Sequence, residues 1–170
     1  LQTDLEQAEE DARAFAEAWR GRLAQADGAA VASAIVEYQR IDEVLGRAAS
    51  YAQLLFAANS VDAKIARFSQ SVNERLTAIS THLLFFTLEM NRIPDDVMAR
   101  QMADPALAHW APFIRDLRVF RPYQLSDEVE SVLHEKSVTG AAAWTRLFDE
   151  TMASMRVPLA VISFCSCENS

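Results

Sequence analysis

The residue type best suited to hold a catalytic zinc ion in this chain is histidine, and there are three, His82, His109 and His134. A zinc-dependent hydrolase of the commonest kind needs two histidines one helical turn apart, with a glutamate between them as general base. None of the three has a second histidine four positions further on. A metal site of distant residues such as His82 and Glu89 is the weaker interpretation, because both serve equally well as packing or surface groups. The sequence therefore predicts no metal ligand and no catalytic residue.

The other reactive side chains also have simple interpretations. Cys165 and Cys167 cannot complete a tetrahedral metal site by themselves, so we interpret them as incidental thiols. The sequence has no Gly-x-Ser-x-Gly elbow for a nucleophilic serine and no glycine-rich phosphate loop. The carboxylate pairs at 95–96 and 127–128 fall at predicted helix starts, where negative charge offsets the helix dipole.

Aromatic side chains are the remaining candidates for a binding role. Most aromatic residues at helical spacing belong to a core rather than to a binding groove. Phe120 and Tyr123 are the best candidates for lining a groove or channel for peptide side chains, because both lie on a predicted connector. The weaker candidates are Phe85, Phe86, Trp110 and Phe113.

Composition excludes several classes of partner. The 170 residues carry 16 basic and 24 acidic side chains, a net charge of −8. An acidic chain without a basic run is a poor ligand for phosphate backbones, so we expect no nucleic-acid binding. The apolar runs fall short of the ~18 residues that a membrane span needs. The acidic run from Asp4 to Asp11 is not a signal peptide, and Cys165 and Cys167 provide no disulfide framework, so a cytoplasmic location is expected.

The periodicity of apolar residues predicts an all-α fold of long antiparallel helical hairpins plus shorter helices. Thr3 and Glu6 have capping-box spacing, Gly28 is the expected stop of the first helix, Ser60 is the expected cap of the third, and Ser126 caps a later one. The predicted helices span 4–27, 29–58, 61–90, 95–102, 105–117, 126–135 and 139–155, with an extended connector over 118–125.

Two regions of different character follow from this pattern. Residues 1–156 form the predicted helical domain, and 157–170 form an atypical tail that we expect to be disordered, with no helical period and both cysteines. The last helix is amphipathic, and we expect its apolar side to pack. That side carries Trp144, Leu147, Phe148 and Met152.

Four segments, in order, resemble the N-terminal region of oligoendopeptidase F, a zinc-peptidase family related to thimet oligopeptidase. They are Arg47-Ala-Ala-Ser-Tyr-Ala, Leu84-Phe-Phe-Thr-Leu-Glu-Met, Arg121-Pro-Tyr-Gln-Leu-Ser-Asp-Glu-Val-Glu and Ser137-Val-Thr-Gly-Ala-Ala-Ala-Trp-Thr-Arg-Leu-Phe. The resemblance covers about 4–156. Tyr123 stands where the family often has histidine.

The resemblance implies a non-catalytic lobe that forms part of the wall of a peptide channel. It implies that the intact enzyme hydrolyses short peptides with zinc, whereas this chain holds no cofactor and is inactive alone. Its expected partners are short peptides, in the intact enzyme, and the catalytic region with the His-Glu-x-x-His motif. The family continues beyond this region, so we interpret the chain as truncated and the tail as the product of a frameshift, a read-through or a cloning boundary.

Two other interpretations stay open. The chain fits a free-standing helical module that binds a partner helix or forms a homo-oligomer, because apolar surface that is left uncovered drives association. An independent enzyme with an unrecognised site is the third interpretation, and no motif favours it.

Overall fold

The computed structural model describes residues 1–155, and all of their regular structure is helical. The predicted all-α fold class is therefore confirmed over this range. The predicted tail at 157–170, with Cys165 and Cys167, lies outside the described residues. The elements are α1 (Gln2–Trp19), α2 (Gly28–Ala58), α3 (Ala63–Thr81), α4 (Leu84–Arg92), α5 (Asp95–Gln101), α6 (Pro105–Ala108), α7 (Ala111–Arg118), a 3-10 turn (Arg121–Tyr123), α8 (Asp127–Lys136) and α9 (Ala141–Ser154).

The longest helix, α2, organises the bundle because it packs against both α1 and α3. An aromatic cluster lies at the centre of the core, where the ring of Phe86 stacks on that of Tyr38 with centroids 4.7 Å apart. Phe15 meets Phe86 edge to face at 5.5 Å. Burial of large apolar groups on facing helices is the main stabilising term for such a bundle. No helix in the described range is long and apolar enough to cross a membrane.

Polar side chains begin several of the helices, as expected. The Asp27 carboxylate accepts a hydrogen bond from the Ala30 N–H at 2.8 Å, and Ser126 caps α8 at Val129. The predicted cap at Ser60 is wrong, because Asp62 accepts from the first N–H groups of α3 instead.

The first helix ends earlier than predicted. It stops at Trp19, and Gly21 then adopts a φ of 75°, a left-handed conformation that favours glycine. The predicted stop at Gly28 is therefore wrong, since Gly28 begins α2. The capping box at Thr3 is not formed either, because α1 already begins at Gln2 and has no side-chain cap.

The predicted helix over 61–90 is two helices, α3 and α4. At the break, the Thr77 carbonyl oxygen accepts hydrogen bonds from the hydroxyls of Ser80, at 3.1 Å, and Thr81, at 2.8 Å. The Leu83 N–H bonds to the Ser80 carbonyl at 2.9 Å, which is the tighter 3-10 spacing. Serine and threonine hydroxyls that bond to backbone carbonyls locally disturb a helix, and apolar spacing alone does not register them.

The predicted helix over 105–117 is also divided, into α6 and α7. Pro112 lies in the first turn of α7, where its missing N–H is tolerated. A continuous helix would bring its ring against the carbonyl of Ala108, four residues earlier. The predicted extended connector over 118–125 is likewise partly helical, because Arg121–Tyr123 form a 3-10 turn.

The last two helices lie outside the core, since neither α8 nor α9 contributes a buried residue. The expectation that the apolar side of the last helix packs is wrong for the described residues. Trp144 is 71% exposed, and its neighbours on the same face are exposed as well. The opposite, polar side of α9 approaches α3, where Arg146 donates a hydrogen bond to the side-chain oxygen of Gln70.

Candidate functional site

The connector between α7 and α8 is the candidate site predicted from sequence, and Arg118 fixes its start. The Arg118 guanidinium donates to the carbonyl oxygens of Met90, at 2.8 Å, and Ile93, at 2.9 Å. These carbonyls lie at the C-terminal end of α4, where the last backbone C=O groups have no N–H donor within the helix. A single arginine therefore closes the end of α4 and anchors the connector to it.

Ion pairs hold the rest of the connector. Asp95 accepts hydrogen bonds from Arg121 at 2.7 Å and from Arg118 at 2.6 Å. Hydrogen bonds from Arg121 and then Arg118 lower the pKa of the exposed Asp95 carboxyl. Further along, Arg92 grips both oxygens of Asp127 at 2.6 and 2.7 Å, which is the bidentate geometry of strong arginine–carboxylate pairs. Asp95 and Asp127 thus position the connector as well as lying at helix starts.

The clamped connector presents its two aromatic side chains to solvent. Phe120 is 67% exposed and Tyr123 is 78% exposed. The Tyr123 N–H donates to the Phe120 carbonyl at 2.9 Å, and this hydrogen bond closes the turn between the two residues. Both side chains are accessible to a ligand.

The weaker aromatic candidates belong to the core or pack against it. Phe86 is fully enclosed and Phe85 is buried beside it in the core. Trp110 and Phe113 are partly buried and pack against the same core. Their helical spacing therefore reflects packing.

A contact between Ser80 and His134 joins α3 to α8. The Ser80 hydroxyl oxygen lies 2.8 Å from His134 Nε2 and also donates to the Thr77 carbonyl. Which of the two groups donates depends on the tautomer of the imidazole. A nucleophilic serine needs, besides the histidine, a carboxylate that orients the histidine. Among the described residues no carboxylate is hydrogen-bonded to His134, and the contact is a structural link.

Zinc does not fit the residues that the structure describes. No group of three or more histidine, cysteine or acidic side chains in 1–155 is arranged to hold a metal ion. Glu89, the acidic residue considered with His82, instead accepts hydrogen bonds from the Gly21 N–H at 2.8 and 3.0 Å. Burial is the main reason that the pKa of Glu89 is raised, and the Gly21 N–H partly opposes it.

Helices α8 and α9 expose a set of large apolar side chains, which we name the outer apolar surface. On α9 these side chains occur at helical spacing on one face, opposite the side that approaches α3. Exposed apolar groups that line one face of a helix in this way usually mark an interface, whereas single ones need no explanation. The outer apolar surface consists of Val129, Val132, Leu133, Trp144, Leu147, Phe148, Met152 and Met155.

The connector and the outer apolar surface both lie within a recognisable family segment. Residues 89–156 match the N-terminal family model of the M3 peptidases, described as oligopeptidase F. This match, which covers less than half of the chain, supports an N-terminal region of an oligoendopeptidase F-like protein. Neither the curated proteins nor the solved structures contain a match to it. The oligopeptidase F segment begins in the last turn of α4 and includes α5 to α9.

The match confirms part of the resemblance that the sequence showed. The segments that begin at Arg121 and Ser137 lie fully inside 89–156, and the one at Leu84 reaches it with its last two residues. The segment at Arg47 lies outside, so its resemblance stays a prediction. Sequence reasoning missed Arg118 as an organising residue, because a side chain that bonds to distant carbonyls leaves no periodic signal.

Proposed function

We propose that this chain forms the non-catalytic helical N-terminal lobe of a zinc-dependent oligoendopeptidase and acts in the cytoplasm. The observation that carries the proposal is the outer apolar surface inside the oligopeptidase F segment. A lobe that packs against a catalytic region needs such a surface, because buried apolar area drives association. The zinc ion, its ligands and the general base belong to the catalytic region, since this chain has no His-Glu-x-x-His motif.

In this proposal the lobe walls a channel that admits short peptides. Phe120 and Tyr123 are the proposed lining residues, because aromatic side chains offer contact area to peptide side chains of many kinds. The ion pairs of Asp95 and Asp127 favour this role, since a clamped connector presents its rings in a fixed place. A channel wall selects by size and performs no proton transfer of its own.

The test is reconstitution with the catalytic region of an oligoendopeptidase F. The chain alone, with zinc, is expected to leave short fluorogenic peptides intact. Addition of a catalytic fragment with the His-Glu-x-x-His motif is expected to form a complex and to raise peptide hydrolysis above that of the fragment. Chelator-sensitive hydrolysis by the chain alone would refute the non-catalytic role.

A matched pair of variants tests the surface. Truncation of an aromatic anchor at the centre of an interface costs about 2 kcal/mol or more, which is roughly 30-fold in affinity. Trp144→Ala with Phe148→Ala is therefore expected to weaken the complex strongly. Val36→Ala removes an exposed apolar side chain from α2 and is expected to leave it unchanged. Equal affinities for the two variants would remove the outer apolar surface from the proposal.

The same surface supports a second candidate, a free-standing module that forms a homo-oligomer. It predicts a dimer or larger species at micromolar concentration, even without any catalytic fragment. Light scattering on the eluted protein separates the two functions. A concentration-independent monomer that binds the catalytic fragment favours the lobe. A stable homo-oligomer that ignores the fragment favours the module.

A further inference from the structure

A small cleft lies between α3 and the polar side of α9, and α2 forms its floor. Its volume is about 200 Å³. Pockets for drug-sized ligands span ~300–1,000 Å³, so this cleft has room for one residue of a peptide and little more. It is lined by Gln53, Phe56, Ser69, Gln70, Asn73, Val138, Ala142, Thr145, Arg146 and Asp149.

The walls of the cleft offer many hydrogen-bonding groups. Gln53, Gln70 and Asn73 carry side-chain amides, each with donors and an acceptor. Ser69 lines the cleft although only 6% of this residue is exposed. Amide and hydroxyl groups complement the N–H and C=O groups of a peptide main chain.

The charge in the cleft comes from one arginine and one aspartate on α9. The Arg146 guanidinium donates to the neutral side-chain oxygen of Gln70. Its ion pair with Glu150 is long, at 3.7 Å. Arginine presents five donors in a planar fork, so two partners leave donors for a carboxylate. Asp149, which lies three residues after Arg146 on the same side of α9, offers acceptor oxygens for an N–H group.

We infer that this cleft binds the C-terminal residue of a short peptide. The terminal carboxylate pairs with Arg146, and the main-chain N–H of the same residue donates to Asp149. Phe56, Val138 and Ala142 accommodate an apolar side chain. A free C-terminus is the one part of a peptide that carries a carboxylate beside a main-chain N–H, whatever its sequence.

Capture of a free C-terminus would give the lobe a means to select peptides by their end as well as by their width. The assignment rests on the proposed function for the choice of a peptide as ligand. Binding by the chain itself, without a catalytic region, tests it separately. Failure of reconstitution would count against the proposed function, whereas failure of C-terminal binding would leave the lobe in place and remove only this site.

The experiment titrates the isotope-labelled chain with the tripeptide Ala-Ala-Leu and, in parallel, with the same tripeptide as its C-terminal amide. Amide resonances of the chain report both affinity and location. The free acid is expected to shift resonances of Ser69, Asn73 and Arg146. The C-terminal amide is expected to bind about tenfold more weakly or worse, because it loses a charge-assisted hydrogen bond.

Two variants that each lose one positive charge distinguish binding at this site from non-specific electrostatic attraction. Arg146→Gln removes the guanidinium and is expected to abolish the preference for the free acid. Arg146→Lys keeps the charge and is expected to retain part of it, since lysine cannot form the fork. Arg115→Gln removes an exposed arginine that pairs with its neighbour Asp116 on α7, and is expected to bind like the original chain. Circular dichroism checks that each variant is folded.

Several results would overturn the inference. Equal affinity for the free acid and the amide would exclude recognition of the carboxylate. Equal losses in Arg146→Gln and Arg115→Gln would reduce the effect to net charge. Shifts confined to residues outside the cleft would place the ligand elsewhere.

Discussion

Gln101 provides the most direct test of how the early helices are joined. Its side-chain N–H groups donate to the carbonyl oxygens of Leu23, at 2.9 Å, and Ala26, at 2.8 Å. Both carbonyls belong to the loop between α1 and α2, whose N–H and C=O groups have no helix to satisfy them. We therefore predict that Gln101 holds this loop against α5.

Gln101→Met keeps the volume and removes both hydrogen bonds. A buried acceptor left without a donor costs ~1–3 kcal/mol, and the Ala26 carbonyl, being only partly buried, lies at the lower end. The original side chain also has a buried oxygen, Oε1, with no hydrogen-bond partner among the described residues. Removal of this oxygen stabilises the folded chain by about as much as one unsatisfied carbonyl destabilises it, ~1–3 kcal/mol. The offset cancels roughly one of the two costs, so the expected net loss of unfolding free energy is about 1 kcal/mol, which lowers Tm by roughly 2–4 °C for a domain of this size.

The assay is urea unfolding followed by far-UV circular dichroism. The midpoint is expected to fall with an unchanged m value, because the same surface is exposed on unfolding. Gln7→Met, on the exposed face of α1, serves as the control and is expected to stay within ~0.5 kcal/mol. A Gln101→Met variant as stable as the original chain would refute the argument, since it would mean that the two carbonyls are satisfied without this side chain.

Gln101→Glu adds a test in which the change in stability depends on pH. An ionised carboxylate facing two carbonyl oxygens has no proton to donate, and burial disfavours its charge. The pKa of this glutamate is therefore expected to rise on folding. Stability should fall, relative to the original chain, as pH rises through that raised pKa, and should recover in acid, where the carboxyl donates to one carbonyl. A pH-independent difference would contradict this account.

Three further predictions concern other parts of the bundle. Burial raises the pKa of Glu89, so the folded chain binds this proton more readily than the unfolded chain, and stability is lost as pH rises through the raised pKa. In urea unfolding between pH 4 and 8, the stability of Glu89→Gln relative to the original chain should therefore increase with rising pH. A constant difference in stability would contradict this. Burial, helped by a nearby carboxylate, raises the pKa of Tyr38 to about 12, so Tyr38→Phe should reduce the loss of stability between pH ~10 and ~12 in alkaline unfolding; equal curves would argue against a buried phenol. A Cβ on Gly28 would lie 2.3 Å from the carbonyl oxygen of Gln101, so Gly28→Ala should lower the free energy of unfolding by ~1–3 kcal/mol. A Cβ on Gly46 would meet nothing within 4 Å, so Gly46→Ala, inside helix α2, should raise it by ~0.5–1 kcal/mol. Thermal unfolding of the two variants checks the opposite signs.

The predictable parts of this fold are those that local chemistry decides. The span of α2 and the cap of α8 by Ser126 follow from apolar period and one hydroxyl, and the structure agrees with both. The errors arise where one residue overrides a long periodic pattern. Gly21 ends α1 with a left-handed turn, and Pro112 divides the helix predicted over 105–117. Both residues are visible in the sequence, and each favours a break, because glycine adopts a left-handed conformation at little cost and proline is disfavoured inside a helix.

The candidate site was less predictable, because it depends on contacts between distant segments. Phe120 and Tyr123 are predicted from their place on a connector; both are exposed, and their lining role stays a prediction. Arg118, which closes the end of α4, and the polar cleft under Arg146 give no local signal. Side chains that meet partners far along the chain become evident only when the helices are placed.

The orientation of α9 ties these observations together. Its sequence is amphipathic, and periodicity identifies an apolar face without saying what covers it. In the described residues the polar side, with Arg146 and Asp149, faces α3, while Trp144 and Phe148 face outward. An isolated bundle would bury the opposite side, since exposed aromatic rings gain nothing from solvent. This arrangement agrees with a lobe whose outer face meets another region and whose inner face keeps a polar cleft for a ligand. The surface and the cleft therefore need separate experiments.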